Sequence, residues 1–157
     1  MLDVRSSEQL LDIHNCTSLI VAYTHRLDLG QPDRIWELFA EDGLWEFPAA
    51  GLAFRGHDEL RTGIAAQLTG TTWLARHVCT NTDISLTDDD HAEGLTYFVN
   101  YRHYFDHPVD AAADLDRELA PISAARHIGE YVDRFVRTDG GWRIAHRRTR
   151  LAFSYRA

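Results

Sequence analysis

The chain contains no lysine; all sixteen of its basic residues are arginine. A side-chain amine is what forms a Schiff base with a carbonyl, so lysine-dependent aldol chemistry and covalent pyridoxal phosphate chemistry are excluded. Cysteine is nearly as scarce. Cys16 and Cys79 are the only two, and with no secretory leader visible at the N-terminus both are expected to be reduced core residues of a cytoplasmic protein. No run of about 18 apolar residues is present to cross a membrane. There is also no Gly-x-Gly-x-x-Gly turn, Walker loop or His-Glu-x-x-His helix, so the common nucleotide and zinc fingerprints do not apply.

What is present is an ordinary globular composition, 45% apolar and 25% charged over 157 residues, with a net charge of −8. That length fits one domain with a substantial core, spanning residues 1–157. The negative charge argues against nucleic-acid or anionic-membrane partners, whose phosphates need a basic surface. The expectation is a cofactor-free domain with a small molecule as its partner.

Ser6 and Gln9 stand at capping-box spacing. Leu10, Ile13, Thr17, Ile20, Val21, Thr24 and Leu27 follow at helical spacing and predict a long helix buried on that face and stopped at Gly30. Pro32 and Asp33 open a shorter helix through Ile35, Trp36 and Phe39, ended by an Asp42-Gly43 turn. Leu44–Phe47 and Leu52–Arg55 read as a hairpin around Pro48 to Gly51, and a third helix runs from Gly56 to about Leu68. The pattern then turns to strand: Trp73 to Leu86, Ala92 to Phe105, Arg126 to Arg137 and Trp142 to Phe153, the last two joined at Asp139-Gly140-Gly141. Pro108 to Pro121 reads as an inserted loop. Helices first and long strands after give the α+β class.

Three stretches carry a family resemblance: Leu27 to Phe47, Arg76 to Asn81, and Asp139 to Ile144. In that order they resemble the nuclear-transport-factor-2-like superfamily, and within it the SnoaL-like proteins. The resemblance implies a cone-shaped, curved antiparallel sheet wrapped around a long N-terminal helix, with two further helices and a deep apolar pocket. Enzymes it brings to mind are scytalone dehydratase, bile acid 7α-dehydratase and hexachlorocyclohexane dehydrochlorinase. By the resemblance, Asp28 and His77 match a catalytic aspartate and histidine, and Tyr23 a polar group five residues before the aspartate.

The residues support such chemistry on their own terms. A neutral imidazole accepts a proton at ordinary pH, and a carboxylate on its other nitrogen fixes the tautomer and stabilises the imidazolium. Asp28 has a second reading, as a cap of the helix that follows it. Tyr23 is either a hydrogen-bond donor to a substrate oxygen or a core tyrosine. Tyr131 and Asn100 are candidates to position substrate, and Trp45 and Phe54 to wall the pocket. Asn100 depends on strand parity: it faces the pocket if Ala92, Gly94, Thr96 and Phe98 do, and points away if Leu95, Tyr97 and Val99 do. Parity around His77 conflicts with that of Ile84 and Leu86 unless a bulge lies near Asn81.

The nine histidines do not make a metal site. His14 and His25 are about 16 Å apart along their helix, and His103 and His107 sit at a strand end before Pro108, so three convergent ligands are lacking. Among the C-terminal arginines, strand alternation places Arg148 and Arg150 on one face and Arg143 and Arg147 on the other. Asp133 and Glu130 on the neighbouring strand are their expected partners.

The function expected is a cofactor-independent lyase of the dehydratase type, acting on a hydrophobic, aromatic or polycyclic molecule. The alternatives are an isomerase or polyketide cyclase with the same base, or a non-catalytic subunit like the small subunit of ring-hydroxylating dioxygenases. The dehydratase relatives carry a second histidine or aspartate on the strand after the base, where this chain has Asn100 and Arg102, so the general acid stays open. Tyr101, Tyr104 and Phe105, expected in water on the convex side of the sheet, point to self-association, and the resemblance implies a homodimer or homotrimer.

Overall fold

In the computed structural model, residues 6–109 and 125–155 are described. They form helices α1 (Ser7–Asp28) and α2 (Gly56–Leu68), a short 3₁₀ helix (Pro32–Leu38), and six strands: β1 (Phe39–Phe47), β2 (Leu52–Arg55), β3 (Trp73–Leu86), β4 (His91–Tyr104), β5 (His127–Thr138) and β6 (Gly141–Ser154). The strands make one sheet in the order β2-β1-β6-β5-β4-β3. Most of the inserted loop expected from Pro108 to Pro121 lies outside the described residues.

Helix α1 opens with the capping box. The Gln9 amide donates to Ser6 Oγ at 3.2 Å and the Ser6 amide to Gln9 Oε1 at 2.9 Å. Its buried residues are Asp12, Cys16, Ile20, Tyr23, Thr24 and Asp28, spaced by three and four residues as one helical face requires. Leu10 and Val21, expected in that face, are exposed. The face is rotated because two carboxylates belong to it, and apolar spacing does not score them. Asp12 accepts from Trp142 Nε1 at 2.8 Å and from Arg137, so its burial is compensated by hydrogen bonds.

Two differences from expectation lie around β1. The second helix ends at Leu38, and Phe39 already begins a strand that runs straight through Asp42-Gly43. The register against β6 shifts between Phe39 and Leu44, so Asp42-Gly43 marks an irregularity inside a strand, not a turn. A Cβ on Gly43 would lie 2.9 Å from the Ala40 carbonyl oxygen, and only glycine allows that approach. Secondly, β1 pairs parallel with β6, whereas every other pairing is antiparallel. The sheet is therefore mixed. The chain can pair in parallel there because α2 and four strands separate β1 from β6.

Bulges set which side chains face inward. Register shifts between Thr80 and Asp83, with Asn81 at φ +50, which is the bulge expected there. It lets His77 and Ile84 share a face. On β4, Ala92, Gly94, Thr96, Phe98 and Asn100 are buried, which decides the parity of Asn100. In β6 the partners Arg134↔His146 and Phe135↔Ile144 leave Ala145 unpaired. Arg147 is thereby turned into the core, while Arg143, expected on the same face, lies between buried Trp142 and Ile144 on the other.

Candidate active site

Asp28 ends α1, and the next turn leaves it against β3. The Arg76 side chain donates to the Asp28 carbonyl at 3.1 Å, satisfying a carbonyl that a helix end leaves open. The His77 backbone amide donates to Asp28 Oδ2 at 2.7 Å, and His77 Nδ1 lies 2.6 Å from Asp28 Oδ1. Two adjacent residues of β3 thus hold Asp28 at three points. The alternative reading of Asp28 as a helix cap is not what is found, since the 3₁₀ helix has no side-chain cap.

The network continues on β4. Asn100 Nδ2 is 3.1 Å from His77 Nε2, and Arg102 Nε donates to Asn100 Oδ1 at 3.0 Å. Arginine can only donate, so Asn100 must turn its oxygen to Arg102 and its amide hydrogens to His77. His77 Nε2 is then an acceptor, and the ring proton sits on Nδ1, donated to Asp28. One arginine thus fixes the direction of every bond in the chain Arg102–Asn100–His77–Asp28. The result is a neutral imidazole whose basic nitrogen is directed at the concave face of the sheet.

That face encloses a cavity of about 280 Å³, with His77 and Asn100 among the residues lining it. Aromatic and aliphatic side chains, Trp45, Phe47, Trp73, Phe98 and Leu151 among them, make most of the wall. Phe98 stacks on Tyr131 with centroids 4.6 Å apart and lies 6.0 Å from the His77 ring. A base in such surroundings is little screened by water.

Tyr23 and Tyr131 also line the cavity. Trp45 Nε1 donates to Tyr23 Oη at 2.7 Å, which leaves the phenol proton for another acceptor. Burial pushes Tyr23 up to about 12 and Tyr131 well above its ordinary value, so both stay protonated donors. Trp45 forms wall as expected. Phe54 does not: it stacks behind Trp45 at 5.6 Å and 10° and is not among the lining residues. Phe54 is the cross-strand partner of Trp45 on the edge strand β2, one strand further out in the sheet.

Sequence reasoning missed His127, Thr149 and Trp73, all in the lining. For His127 the available signal was register: it pairs directly with Asn100. Burial first, then the guanidinium charges of Arg102 and Arg126, pull its imidazole from 6.5 down to about 4. The unfolded chain takes up that proton near 6.5 and the folded chain does not. Stability is expected to fall as pH drops from about 6.5 to about 4, and His127→Gln should flatten that part of a plot of urea midpoint against pH.

Among the described residues, no group of three or more His, Cys, Asp and Glu could hold a metal ion. No helix there is long and apolar enough to cross a membrane. The family model for the SnoaL-like domain matches residues 8–148. This chain belongs to the SnoaL-like family. No curated protein matches it by sequence. Solved structures do. A variant of Rv3472 from Mycobacterium tuberculosis, a protein of unknown function, is 28% identical with a TM-score of 0.70, covering 92% of this chain and 73% of that one. A "Putative Scytalone Dehydratase" from Novosphingobium aromaticivorans is 19% identical with a TM-score of 0.71, over 95% and 91% of the two chains. LinA is 15% identical with a TM-score of 0.73, over 95% and 92%. The last two share the fold.

Proposed function

We propose that this SnoaL-like protein is a cofactor-independent lyase in which His77 removes a proton from carbon. The observation that carries the reading is the directed network Arg102–Asn100–His77–Asp28 at the wall of an aromatic cavity. Asp28 holds the Nδ1 tautomer and stabilises the imidazolium as it forms. The negative end of α1, which stops at Asp28, favours that cation further. Substrate must displace the Asn100 amide from Nε2, a neutral hydrogen bond that is cheap to exchange. Tyr23 offers its proton to the leaving oxygen or to a carbonyl. The apolar lining selects a hydrophobic, aromatic or polycyclic molecule.

The test uses 5-nitrobenzisoxazole, a flat bicycle that opens when a base takes its ring C–H. The C–H pair forms the nitrile, the N–O bond breaks, and a coloured phenolate leaves. Wild-type protein should open it well above the rate of free imidazole. Opening no faster than with free imidazole would sink the proton-transfer reading and favour a binding or assembly subunit.

The same reading includes a homo-oligomer. On the convex face Val78, Val99, Ile128 and Phe153 are paired in one row across β3 to β6, and Val78, Ile128 and Phe153 are exposed. Tyr101 extends this apolar surface, Tyr104 pairs with Trp73 and belongs to the opposite face, and Phe105 is half-buried. The neighbouring row carries Glu130 paired with Arg150 at 3.1 Å, so a copy related by a two-fold axis would offer each charge its opposite. Light scattering should give at least twice the monomer mass, and Phe153→Glu should shift it to monomer.

A further inference from the structure

The cavity accounts for one face of the sheet, and the convex face carries a pattern of its own. Across β3, β4, β5 and β6, direct cross-strand partners line up in rows. One row is Asp83, Leu95, Val132 and Arg148, in the order acid, apolar, apolar, base. A second is Ser85, Glu93, Arg134 and His146, and a third is the apolar series Val78, Val99, Ile128 and Phe153. A line drawn between β4 and β5 divides each row into halves that suit one another. Leu95 stands across it from Val132, Val99 from Ile128 and Val78 from Phe153. Glu93 likewise stands across from Arg134, and Asp83 from Arg148.

All four of those charged residues are exposed. Arg134 donates to His146 Nδ1 at 3.0 Å, and Arg148 reaches Glu46 only at 3.9 Å. Among the described residues, Asp83, Glu93 and Arg134 are in no ion pair.

We propose that the chain forms a two-fold dimer through this face, with its axis parallel to the strands between β4 and β5, so that Asp83 of each copy meets Arg148 of the other and Glu93 meets Arg134. The inference rests on the self-association proposed above and not on His77 as a base. Rotation about such an axis keeps the strands of the two sheets aligned, as face-to-face sheets pack. It also lays each position on the one across the line in the other copy. Leu95, Val132, Val99 and Ile128 then make an apolar centre, with Asp83 and Arg148 at its rim. In the row between, Tyr97 can donate to the partner's Glu130.

Other axes fail on the same rows. One between β5 and β6 brings Glu130 against the partner's Arg150, but those two already hold each other within a chain at 3.1 Å. It also sets the partner's Arg148 on Val132 and the partner's Glu46 on Leu95. An axis along β5 lays Arg134 on the partner's Arg134. One across the strands lays the Val78 row on the charged Glu93 row. A single patch that complements itself is what a two-fold dimer requires, whereas a ring of three needs two different patches.

Asp83 and Arg148 give the test, because three strand spacings, about 14 Å, keep them apart within one chain. Sedimentation over a dilution series should show a wild-type dimer. Asp83→Arg and Arg148→Asp should each weaken it about tenfold to hundredfold, since each sets like charges face to face at two places. Mixed in equal amounts, the two variants should dimerise with close to wild-type affinity. The doubly substituted chain should do so with itself. Melting temperatures check that each variant is folded. Arg148→Asp also faces Glu46; if it fails to fold, mixing Glu93→Arg with Arg134→Glu gives the same readout. A wild-type dimer that neither substitution weakens, or that mixing does not restore, overturns this axis and leaves self-association standing. A wild-type monomer overturns both, and a trimer overturns the two-fold pairing.

Discussion

Replacing His77 with alanine is expected to lower kcat/KM for opening of 5-nitrobenzisoxazole by about 10²- to 10⁴-fold, the usual contribution of a positioned base. Asp28→Asn should cost as much, although the substitution barely changes shape. Asp28 accepts two hydrogen bonds, one from the His77 backbone amide and one from Nδ1. An asparagine has one acceptor oxygen, so its amide group must face one of those donors. If it faces the ring, His77 has to move its proton to Nε2. That N–H then meets the Asn100 amide, which Arg102 holds with its hydrogens pointing at His77. The wrong tautomer has no place in the network, and a comparable change in a buried triad lowers rate by about 10⁴-fold. The accompanying measurement is melting temperature. A drop in rate with folding retained assigns the effect to the proton path, whereas loss of folding alone would make Asp28 an anchor of α1 and not part of a base.

The fold and the dyad were legible in the sequence for different reasons. Element order follows from local signals such as Ser6–Gln9, Gly30 and Gly140-Gly141, which act over a few residues. Asp28 and His77 came through resemblance, since nothing local ties residues 49 apart in sequence. Neither route reaches the parallel β1–β6 pairing or the inward turn of Arg147. The first depends on a connection of one helix and four strands, which no local signal reports, and the second on a single irregularity at Ala145. One extra residue in a strand inverts the face of every side chain beyond it, and composition carries no mark of it. His127 was missed for a related reason: only register across β4 and β5 places it beside Asn100.

Arg147 shows how much of the site rests on such a residue. It is fully buried, as is Asp133, and the two are joined by bonds of 2.8 Å and 2.6 Å. Its guanidinium lies 4.2 Å from the Tyr23 ring centroid and 4.4 Å from that of Tyr131, whose planes meet at 76°. The pair therefore sits behind both phenols that face the cavity. Arg147→Met should cost about 3–5 kcal/mol, because it leaves Asp133 buried and unpaired. For a domain of this size that is a fall in Tm of about 10 °C. Asp133→Asn should cost a similar amount through the guanidinium it strands. Replacing both with apolar residues removes both stranded charges, and Tm should return close to wild type. Activity should not return with it. Methionine supplies no flat cation to stack between two tyrosine rings, so Tyr23 and Tyr131 lose the surface that sets their angle. A double variant with recovered Tm and still-reduced ring opening assigns Arg147 to positioning of the phenols. Recovery of both together would make the ion pair a matter of stability alone.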